Sequence, residues 1–340
     1  MRQAVMTKPG VIEMREVPKP GPVKKHEVKL KIRKIGVCGS DIHVYHGKHP
    51  FTSYPVVQGH EYSGEVIEVG EEVNVVKVGD KATARPQKVC GKCPPCLRGD
   101  YNICNELKVE GFQAPGTAQD YFVVPQDRVI RLPKAMSFDQ GAMVEPAAVG
   151  AHATRRAGNL EGKNVVVTGA GPIGNLVGQF AKARGAARVL ITDLSEFRLK
   201  KAKDCGIDFT SNASEEGLGE ASKRVFGVKG FDIAFECAGV EVALDQVIQH
   251  VNKGGAIVAV AVYGDRPKVD MAIVGDRELN LIGTLMYKHE DYQEAVSFIE
   301  SEKIKTTPLF TGHFPFEHYL DAYKYIDEQG DKTLKVIIDL

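Results

Sequence analysis

The sequence has no surplus of charge of either sign. Its 340 residues include 44 lysines and arginines and 44 aspartates and glutamates, so the formal net charge is zero. A protein that binds nucleic acid or an anionic membrane through its overall charge needs a basic surplus, which this chain does not have. We therefore expect neither nucleic acid nor a membrane among its partners.

Long apolar runs are also missing. None reaches the length that spans a bilayer, and the first ten residues contain no long apolar stretch before the first charges. We expect no signal peptide and a cytoplasmic location. Internal repeats and low-complexity segments are absent as well. Hydrophobic residues make up 43% and charged residues 26%, which is the ordinary balance of a globular protein.

Length and patterning predict two domains. A chain of 340 residues exceeds what one typical core holds. The first third is rich in valine, glycine and proline, and alternation such as Val28 to Ile32 predicts half-buried antiparallel strands. We expect residues 1 to about 145 to form a mostly β domain, a distorted barrel.

The pattern changes after Glu145 and Pro146, where short apolar runs begin to alternate with helical spacing. The expected strands are 165–168, 189–192, 231–235, 256–262 and 279–285, and the expected helices between them include 197–205 and 242–251. This alternation predicts a doubly wound parallel sheet. Two helices, 291–302 and 316–328, and a last strand, 334–338, are expected near the C-terminus.

A glycine-rich segment follows the first strand of the predicted parallel sheet. Its sequence is Gly169-Ala170-Gly171-Pro172-Ile173-Gly174, and a helix with an apolar face begins within it. Glycine permits the tight turn and the close approach of a pyrophosphate, whose charge meets the helix N-terminus. The segment predicts a dinucleotide site.

An acidic residue ends the next predicted strand. Asp193 can accept hydrogen bonds from the adenosine ribose hydroxyls and would repel a 2′-phosphate, which favours NAD over NADP. The alternative is a solvated acid in a turn. Arg198 is a candidate neighbour of the adenine, and the alternative for it is a cation on a helix surface.

Four of the seven cysteines lie close together in the sequence, at Cys90, Cys93, Cys96 and Cys104. In a reducing compartment such a set indicates a metal site rather than disulfides. Four thiolates make a closed tetrahedral zinc site, which would be structural. An iron–sulfur cluster is the alternative.

A second, smaller set can form an open zinc site. Cys38 lies far from the four-cysteine set, and His60 and Glu61 follow it. One cysteine, one histidine and one carboxylate leave a coordination position for water or substrate. Taken alone, Cys38 is typical of a small core residue and His60-Glu61 of an ordinary polar pair, so only the combination indicates a site.

At these residues the chain resembles the zinc-containing medium-chain alcohol and polyol dehydrogenases. The segment from Gly59 to Val73 matches the zinc signature of that family at every fixed position, and the cysteine set, the glycine loop and Asp193 follow in the family's order. Within the family the sequence is most similar to the sorbitol (L-iditol 2-) dehydrogenase branch with its polyol and sugar-acid relatives. The resemblance covers essentially the whole chain.

The resemblance implies a fold, two cofactors and an assembly. It implies a GroES-like zinc-binding catalytic domain (1–146 and 287–340) and a Rossmann NAD-binding domain (147–286). Two zinc ions per subunit, one catalytic and one structural, and NAD are the implied cofactors. The small-molecule partner is a polyol or sugar derivative, oxidised at a secondary alcohol to a ketone, and the subunits form a homodimer or homotetramer.

The resemblance also implies roles for individual residues. Ligands of the catalytic zinc, directly or through water, are Cys38, His60, Glu61 and Glu145. Ser40 and His43 occupy the proton-relay positions, and Tyr45 and Tyr287 match substrate-contacting tyrosines.

One departure bears on the substrate. Met286 stands where animal sorbitol dehydrogenases commonly have arginine, with Lys288 two residues on, which argues against D-sorbitol itself. A sugar acid, threonine or 2,3-butanediol is the alternative substrate. A zinc-free quinone-reductase-like enzyme and an NAD-responsive regulator without enzymatic activity are further alternatives.

Overall fold

The structure is a computed structural model that describes all 340 residues, and it divides the chain into two compact units. The first unit contains Met1–Glu145, Lys288–Glu300 and Phe310–Leu340, and the second contains Pro146–Tyr287 and Ser301–Leu309. The expected domain boundaries, 146/147 and 286/287, each differ by one residue from the observed ones, 145/146 and 287/288. Residues 301–309 were expected in the first domain and lie in the second unit. A hydrogen-bonded pair explains that assignment, because the Gln179 amide bonds both backbone polar groups of Lys305, at 2.6 and 3.2 Å.

The two units together contain seventeen strands and eleven α-helices. The strands are β1 (Arg2–Lys8), β2 (Val11–Glu16), β3 (Glu27–Val37), β4 (Glu61–Val69), β5 (Lys81–Ala84), β6 (Gln87–Lys88), β7 (Lys108–Val109), β8 (Tyr121–Pro125), β9 (Val129–Arg131), β10 (Asn164–Thr168), β11 (Arg188–Asp193), β12 (Phe209–Asn212), β13 (Ile233–Glu236), β14 (Ala256–Ala259), β15 (Asn280–Gly283), β16 (Phe310–Pro315) and β17 (Lys335–Asp339). The helices are α1 (Gly39–Tyr45), α2 (Pro94–Leu97), α3 (Phe138–Ala142), α4 (Val144–Arg156), α5 (Pro172–Ala183), α6 (Glu196–Asp204), α7 (Leu218–Phe226), α8 (Glu241–His250), α9 (Met271–Asp276), α10 (His289–Glu300) and α11 (Tyr319–Gln329). Short 3₁₀ helices lie at Tyr101–Ile103, Gln126–Arg128, Gly227–Lys229, Thr307–Leu309, Phe316–His318 and Gly330–Lys332. No helix combines the length and the apolar composition needed to cross a membrane.

The first unit is built on a seven-stranded sheet with β3 at its centre. The order is β16-β17-β3-β4-β5-β9, and β8 also pairs with β3. The alternation predicted for β3 is present, because Val28, Leu30 and Ile32 are all in the hydrophobic core of this unit. Strand β17 comes from the end of the chain and pairs antiparallel with β3.

The second unit is a six-stranded parallel sheet in the order β12-β11-β10-β13-β14-β15. This is the strand order of a doubly wound dinucleotide-binding sheet, as the sequence predicts. Two separate cores lie on its two faces. Val165 and Val167 of β10 belong to one and Val166 belongs to the other, which explains why the strand is apolar at successive positions.

The elements expected from the sequence are present, and several of their ends differ. Residues 256–262 form a strand only as far as Ala259, because the N–H groups of Val260 and Ala261 both turn to the carbonyl of Glu236. The expected helix 316–328 begins as a 3₁₀ turn and becomes α-helical at Tyr319. Local pattern locates these elements, and hydrogen bonds to neighbouring elements set where they stop.

Candidate functional site

Antiparallel pairing of two strands brings Cys38, His60 and Glu61 together in the first unit. Strand β4 begins at Glu61, and Glu61 is the register partner of Gly36 near the end of β3. Cys38 follows β3 directly and caps α1. The end of one strand and the start of the next therefore bring together residues that are more than twenty positions apart in the sequence.

The donor atoms of these three residues converge. The Cys38 thiol, a nitrogen of the His60 ring and a Glu61 carboxylate oxygen all lie within 4.8 Å of one another. Sulfur, nitrogen and oxygen ligands on one tetrahedral Zn²⁺ at about 2.0–2.3 Å are separated by comparable distances, about 3.3–3.8 Å. The donor set and its spacing fit a zinc ion with one position open. Glu145 is buried and lies outside this convergent set, so its predicted role as a ligand stays a prediction.

A buried lysine faces Glu61. Lys335, on β17, donates to the Glu61 carboxylate and, at 3.2 Å, to the Val37 carbonyl. Burial disfavours its charge, but Glu61 first, then Cys38 and Glu145, raise the pKa of Lys335 above its usual value. The ammonium therefore stays charged and balances the negative groups around the donor set.

A carboxylate also faces His60. Asp41 Oδ1 lies 3.6 Å from His60 Nδ1, slightly beyond hydrogen-bond length, and both side chains are buried. Burial lowers the pKa of His60, but the charge of Asp41 and the nearby Cys38 outweigh it and raise that pKa well above the ordinary value. A carboxylate on one ring nitrogen holds the other free to bind a metal.

The other residues predicted for catalysis in this unit lie on α1. Ser40 is partly exposed at its first turn, and His43, three residues later, is exposed to solvent. Tyr45 is partly buried, with its ring 5.4 Å from that of Tyr323. In the second unit, Tyr287 is completely buried. The roles predicted for these residues stay predictions.

The four cysteines predicted to bind a structural metal form one compact set. All four sulfurs, of Cys90, Cys93, Cys96 and Cys104, lie within 4.8 Å of one another. The Cys104 sulfur is 3.6 Å from that of Cys90 and 3.9 Å from that of Cys93, so no disulfide links them. A zinc tetrahedron with bonds of about 2.3 Å has edges of about 3.8 Å. The spacing fits one ion, since the thiolates of a multi-iron cluster bind different irons and lie farther apart.

Backbone groups around the cysteine set favour thiolates. The N–H groups of Asn105 and Glu106 point to the sulfurs of Cys93 and Cys104, at 3.5 and 3.3 Å. The Asn105 bond is the main reason why the pKa of Cys93 falls to about 6, whereas desolvation raises that of Cys96 to about 12. A cation is needed to hold all four as thiolates at neutral pH.

In the second unit the glycine loop has the shape that a dinucleotide needs. A Cβ at Gly174 would lie 1.8 Å from the carbonyl oxygen of Gly169, which itself has a φ of +91°. These two positions therefore require glycine. Gly171 caps the twelve-residue helix α5, and no atom lies within 4 Å of where its Cβ would be. Pro172 and Ile173 are the first two residues of α5. The N–H groups of its first turn, from Ile173 onward, can meet a phosphate.

Asp193 lies beside this loop. One of its carboxylate oxygens accepts from the Ala170 N–H at 2.6 Å and the other from the Ser195 N–H at 2.8 Å. A carboxylate offers about four acceptor positions, so two remain for a ligand. Arg198 lies partly buried in the first turn of α6, just after Ser195 caps that helix.

Sequence reasoning assigned no role to two residues beside the first site, Asp41 and Lys335. A signal for Lys335 exists, because a lysine interrupts the apolar run of the last strand at a position that should be buried. The ammonium of Lys288, the lysine noted beside the Met286 departure, pairs with Asp100 at 2.7 Å. This pair joins the start of α10 to the segment of the four cysteines, residues 90–104, which we call the cysteine lobe.

Both parts of the chain match known family models. Residues 24–134 match the alcohol dehydrogenase GroES-like domain, and residues 172–301 match the zinc-binding dehydrogenase model. These regions contain Cys38, His60 and the cysteine set in the first case, and most of the parallel sheet in the second.

Individual relatives extend the match over nearly the whole length. Sorbitol dehydrogenase 2 of Saccharomyces cerevisiae is 36% identical and covers 98% of this chain and 96% of its own. The 2-dehydro-3-deoxy-L-galactonate 5-dehydrogenase of Pseudoalteromonas atlantica is 35% identical, over 91% of each. Among solved structures, galactitol-1-phosphate dehydrogenase from Escherichia coli has a TM-score of 0.92 at 29% identity and covers 100% of both chains.

Proposed function

Because the chain belongs to the zinc-containing alcohol dehydrogenase family, we propose that it oxidises a secondary alcohol of a polyol or sugar derivative to a ketone, reversibly, with NAD⁺ as hydride acceptor. The convergence of Cys38, His60 and Glu61 carries this proposal. Three donors of this kind leave a coordination position for a hydroxyl group, whereas the four-cysteine set leaves none. A regulator that only senses NAD would need no such open set.

Each residue of the first site has a separate role in the proposed reaction. When bound, zinc would lower the pKa of the substrate alcohol, and NAD⁺ would supply the hydride acceptor. Cys38, His60 and Glu61 would hold the ion, while the Lys335 ammonium donates to the Glu61 carboxylate and fixes it in place. The hydroxyl proton has to leave, and we assign its acceptance to Ser40, which lies in the first turn of α1, two residues after Cys38. His43, one helical turn further and open to solvent, passes it to water.

The relay makes a testable prediction. Ser40→Ala should lower the rate of alcohol oxidation by about 10²–10⁴-fold, the usual contribution of a general acid–base group, and leave NAD binding nearly unchanged. His43→Ala should cost less, because water can replace an outer member. His46→Gln is the matched control, since His46 is exposed on the same segment and pairs with Asp327. Rates measured across pH decide this, and normal oxidation by Ser40→Ala at every pH would rule the relay out.

Asp193 makes a prediction about the cofactor. Its two remaining acceptor positions suit the two ribose hydroxyls of NAD, and its charge repels the 2′-phosphate of NADP. A penalty of about 2–4 kcal/mol corresponds to about 30- to 1,000-fold preference for NAD in kcat/KM. Asp193→Ala should shrink that ratio, and Asp193→Asn, which keeps the size and removes the charge, should isolate the repulsion. Equal efficiency of the unmodified enzyme with NAD and NADP would contradict the assignment.

A substrate panel tests the proposed function. The relatives named above act on sorbitol, a sugar acid and a sugar-alcohol phosphate, according to their names. We place polyols and sugar derivatives first, with sugar acids second because of the Pseudoalteromonas enzyme. NAD⁺ reduction should be measured with polyols, hexonates, threonine, 2,3-butanediol and ethanol. Ethanol oxidised as efficiently as the best polyol or sugar acid would overturn the substrate class, and no reduction with any alcohol would overturn the enzymatic function.

A homo-oligomer, a dimer or a tetramer, is part of the proposal, with the cytoplasm as its compartment. Strand β15 is the last strand of its sheet and pairs only with β14. Leu281 of β15 (44%) and Leu285, two residues after its end (47%), have exposed apolar side chains. An exposed apolar edge suits pairing with a second copy.

The unpaired edge of β15 leads to a testable prediction about the oligomer. Leu281→Lys should convert the oligomer to smaller species, because it places a charge in the paired edge, as measured by sedimentation velocity. Val228→Lys is the control, since Val228 is fully exposed away from this edge. An unmodified protein that sediments as a monomer would contradict the proposal.

A further inference from the structure

A chain of buried polar side chains links helix α11 to the donor set of the first site. Its middle member is Gln58, which is 2% exposed and lies in the loop before β4, two residues from His60. The Gln58 amide donates to both the carboxylate and the backbone carbonyl of Asp41, at 3.2 Å each. Asp41 Oδ2 also accepts from the Cys38 N–H at 3.0 Å. Asp41 is thus held on two sides.

The outer member of this chain is Tyr323. Its hydroxyl donates to Gln58 Oε1 at 3.0 Å, and its ring is completely buried against those of Tyr319 and Tyr45. Burial raises the pKa of the Tyr323 phenol well above its usual value, so the hydroxyl remains a donor. The direction of the Gln58 amide is fixed by Asp41, because a reversed amide would place its oxygen against the Asp41 carboxylate and carbonyl, which can only accept. In this direction Gln58 Oε1 is the acceptor for the Tyr323 hydroxyl.

The inner end of the chain faces the metal ligand. Asp41 Oδ1 is 3.6 Å from His60 Nδ1, a buried nitrogen without a hydrogen-bond partner. A small inward shift of either group would make the bond. Carboxylates that bond the free nitrogen of a metal-binding histidine set the ring's orientation and strengthen it as a ligand.

We propose that Gln58 and Tyr323 are positioning residues for His60, which act through Asp41 and hold the imidazole in the orientation that binds zinc. This inference rests on the proposed metal site of Cys38, His60 and Glu61. Neither Gln58 nor Tyr323 belongs to the donor set itself. A substitution at either residue should therefore change zinc binding, and turnover should change only as a consequence.

Two variants test the proposal through metal affinity. In Tyr323→Phe only the hydroxyl is lost, and Gln58→Leu removes the amide at similar size. Zinc affinity is measured by competition with a chelator, and the visible spectrum of the Co²⁺-substituted enzyme reports the geometry. Loss of a group that orients a metal ligand directly costs about 10–100-fold in affinity. Gln58 acts through Asp41, and Tyr323 acts through Gln58. We therefore expect about 10-fold for Gln58→Leu, at the lower end of that range, and about 3-fold for Tyr323→Phe. Both should show a shifted Co²⁺ spectrum.

A control on the same helix separates positioning from packing. Tyr325 also donates from its hydroxyl, to the Thr311 carbonyl at 3.1 Å, and takes no part in the chain to Asp41. Tyr325→Phe should lose a comparable hydrogen bond and keep normal zinc affinity, Co²⁺ spectrum and turnover. Gln58→Leu leaves two buried partners unpaired. If it does not fold for that reason, the zinc affinity and Co²⁺ spectrum of Tyr323→Phe, compared with those of Tyr325→Phe, test the inference.

The outcomes distinguish this inference from the proposed function. Cys38→Ser should lose the ion whose affinity is followed. If it keeps that ion, the proposed metal site itself is wrong. If Cys38→Ser loses the ion but Tyr323→Phe and Gln58→Leu bind zinc with unchanged affinity and spectrum, and only the melting temperature falls, the two residues serve packing and the inference is wrong.

Discussion

Serine in place of Cys38 should lower turnover by about a thousandfold or more while the protein stays folded. Metal polarisation of the reacting oxygen contributes several kcal/mol, and each 1.4 kcal/mol is about tenfold in rate. Serine is a poor zinc ligand at neutral pH because its hydroxyl stays protonated. The remaining donors, His60 and Glu61, would hold the ion weakly. The zinc content measured by metal analysis should fall from two ions per subunit to one.

The ion that remains should belong to the cysteine lobe. Cys205→Ala is the matched control, because Cys205 is buried in the second unit and lies outside both metal-binding sets. It should keep both ions and normal turnover. Near-normal turnover by Cys38→Ser, or loss of both ions together, would remove the basis for a separate catalytic site.

Replacing Cys96 with serine should mainly cost stability. The lobe around it has little core: α2 has four residues, β6 and β7 have two each, and Leu97 is 74% exposed. Structural zinc contributes about 10–16 kcal/mol of binding free energy in small zinc-finger peptides. If about 3 kcal/mol of this reaches the stability of the unit, the melting temperature falls by about 6–12 °C.

The loss of stability in Cys96→Ser should extend from the cysteine lobe to the start of α10. Two contacts tie the lobe to the start of α10: Lys288 pairs with Asp100, and the Tyr101 hydroxyl accepts from the His289 N–H. Hydrogen exchange should therefore rise in residues 90–105 and at the start of α10. Leu97→Ala, an exposed change in the same lobe, should leave both regions protected. Normal exchange in Cys96→Ser would show that no metal stabilises the lobe.

Local sequence patterns indicated the main motifs of the three candidate sites and none of the links between distant segments. The glycine loop, the cysteine lobe and the His60-Glu61 pair are contiguous motifs whose chemistry depends on spacing. The Gln58–Tyr323 and Lys335–Glu61 contacts join residues 265 and 274 positions apart, and no periodicity encodes such a contact. Tyr323 reads as an ordinary apolar position of an amphipathic helix, and only the packed structure reveals what its hydroxyl contacts.

The pairing of β17 with β3 has a consequence for biosynthesis. Lys335 and the carbonyl of Val37 that it contacts are 298 residues apart, with the whole second unit between them in the sequence. During synthesis the second unit, whose six strands all precede residue 284, can form its sheet while the ribosome is still translating the rest. In the first unit, β8 can pair with residues 27–31 of the central strand β3, but residues 34–37 lack their partner on the same side until β17 emerges. Glu61 therefore gains its counter-charge only after the ribosome has passed residue 335, and a ribosome stalled before that residue would carry a nascent chain with an unfinished metal centre.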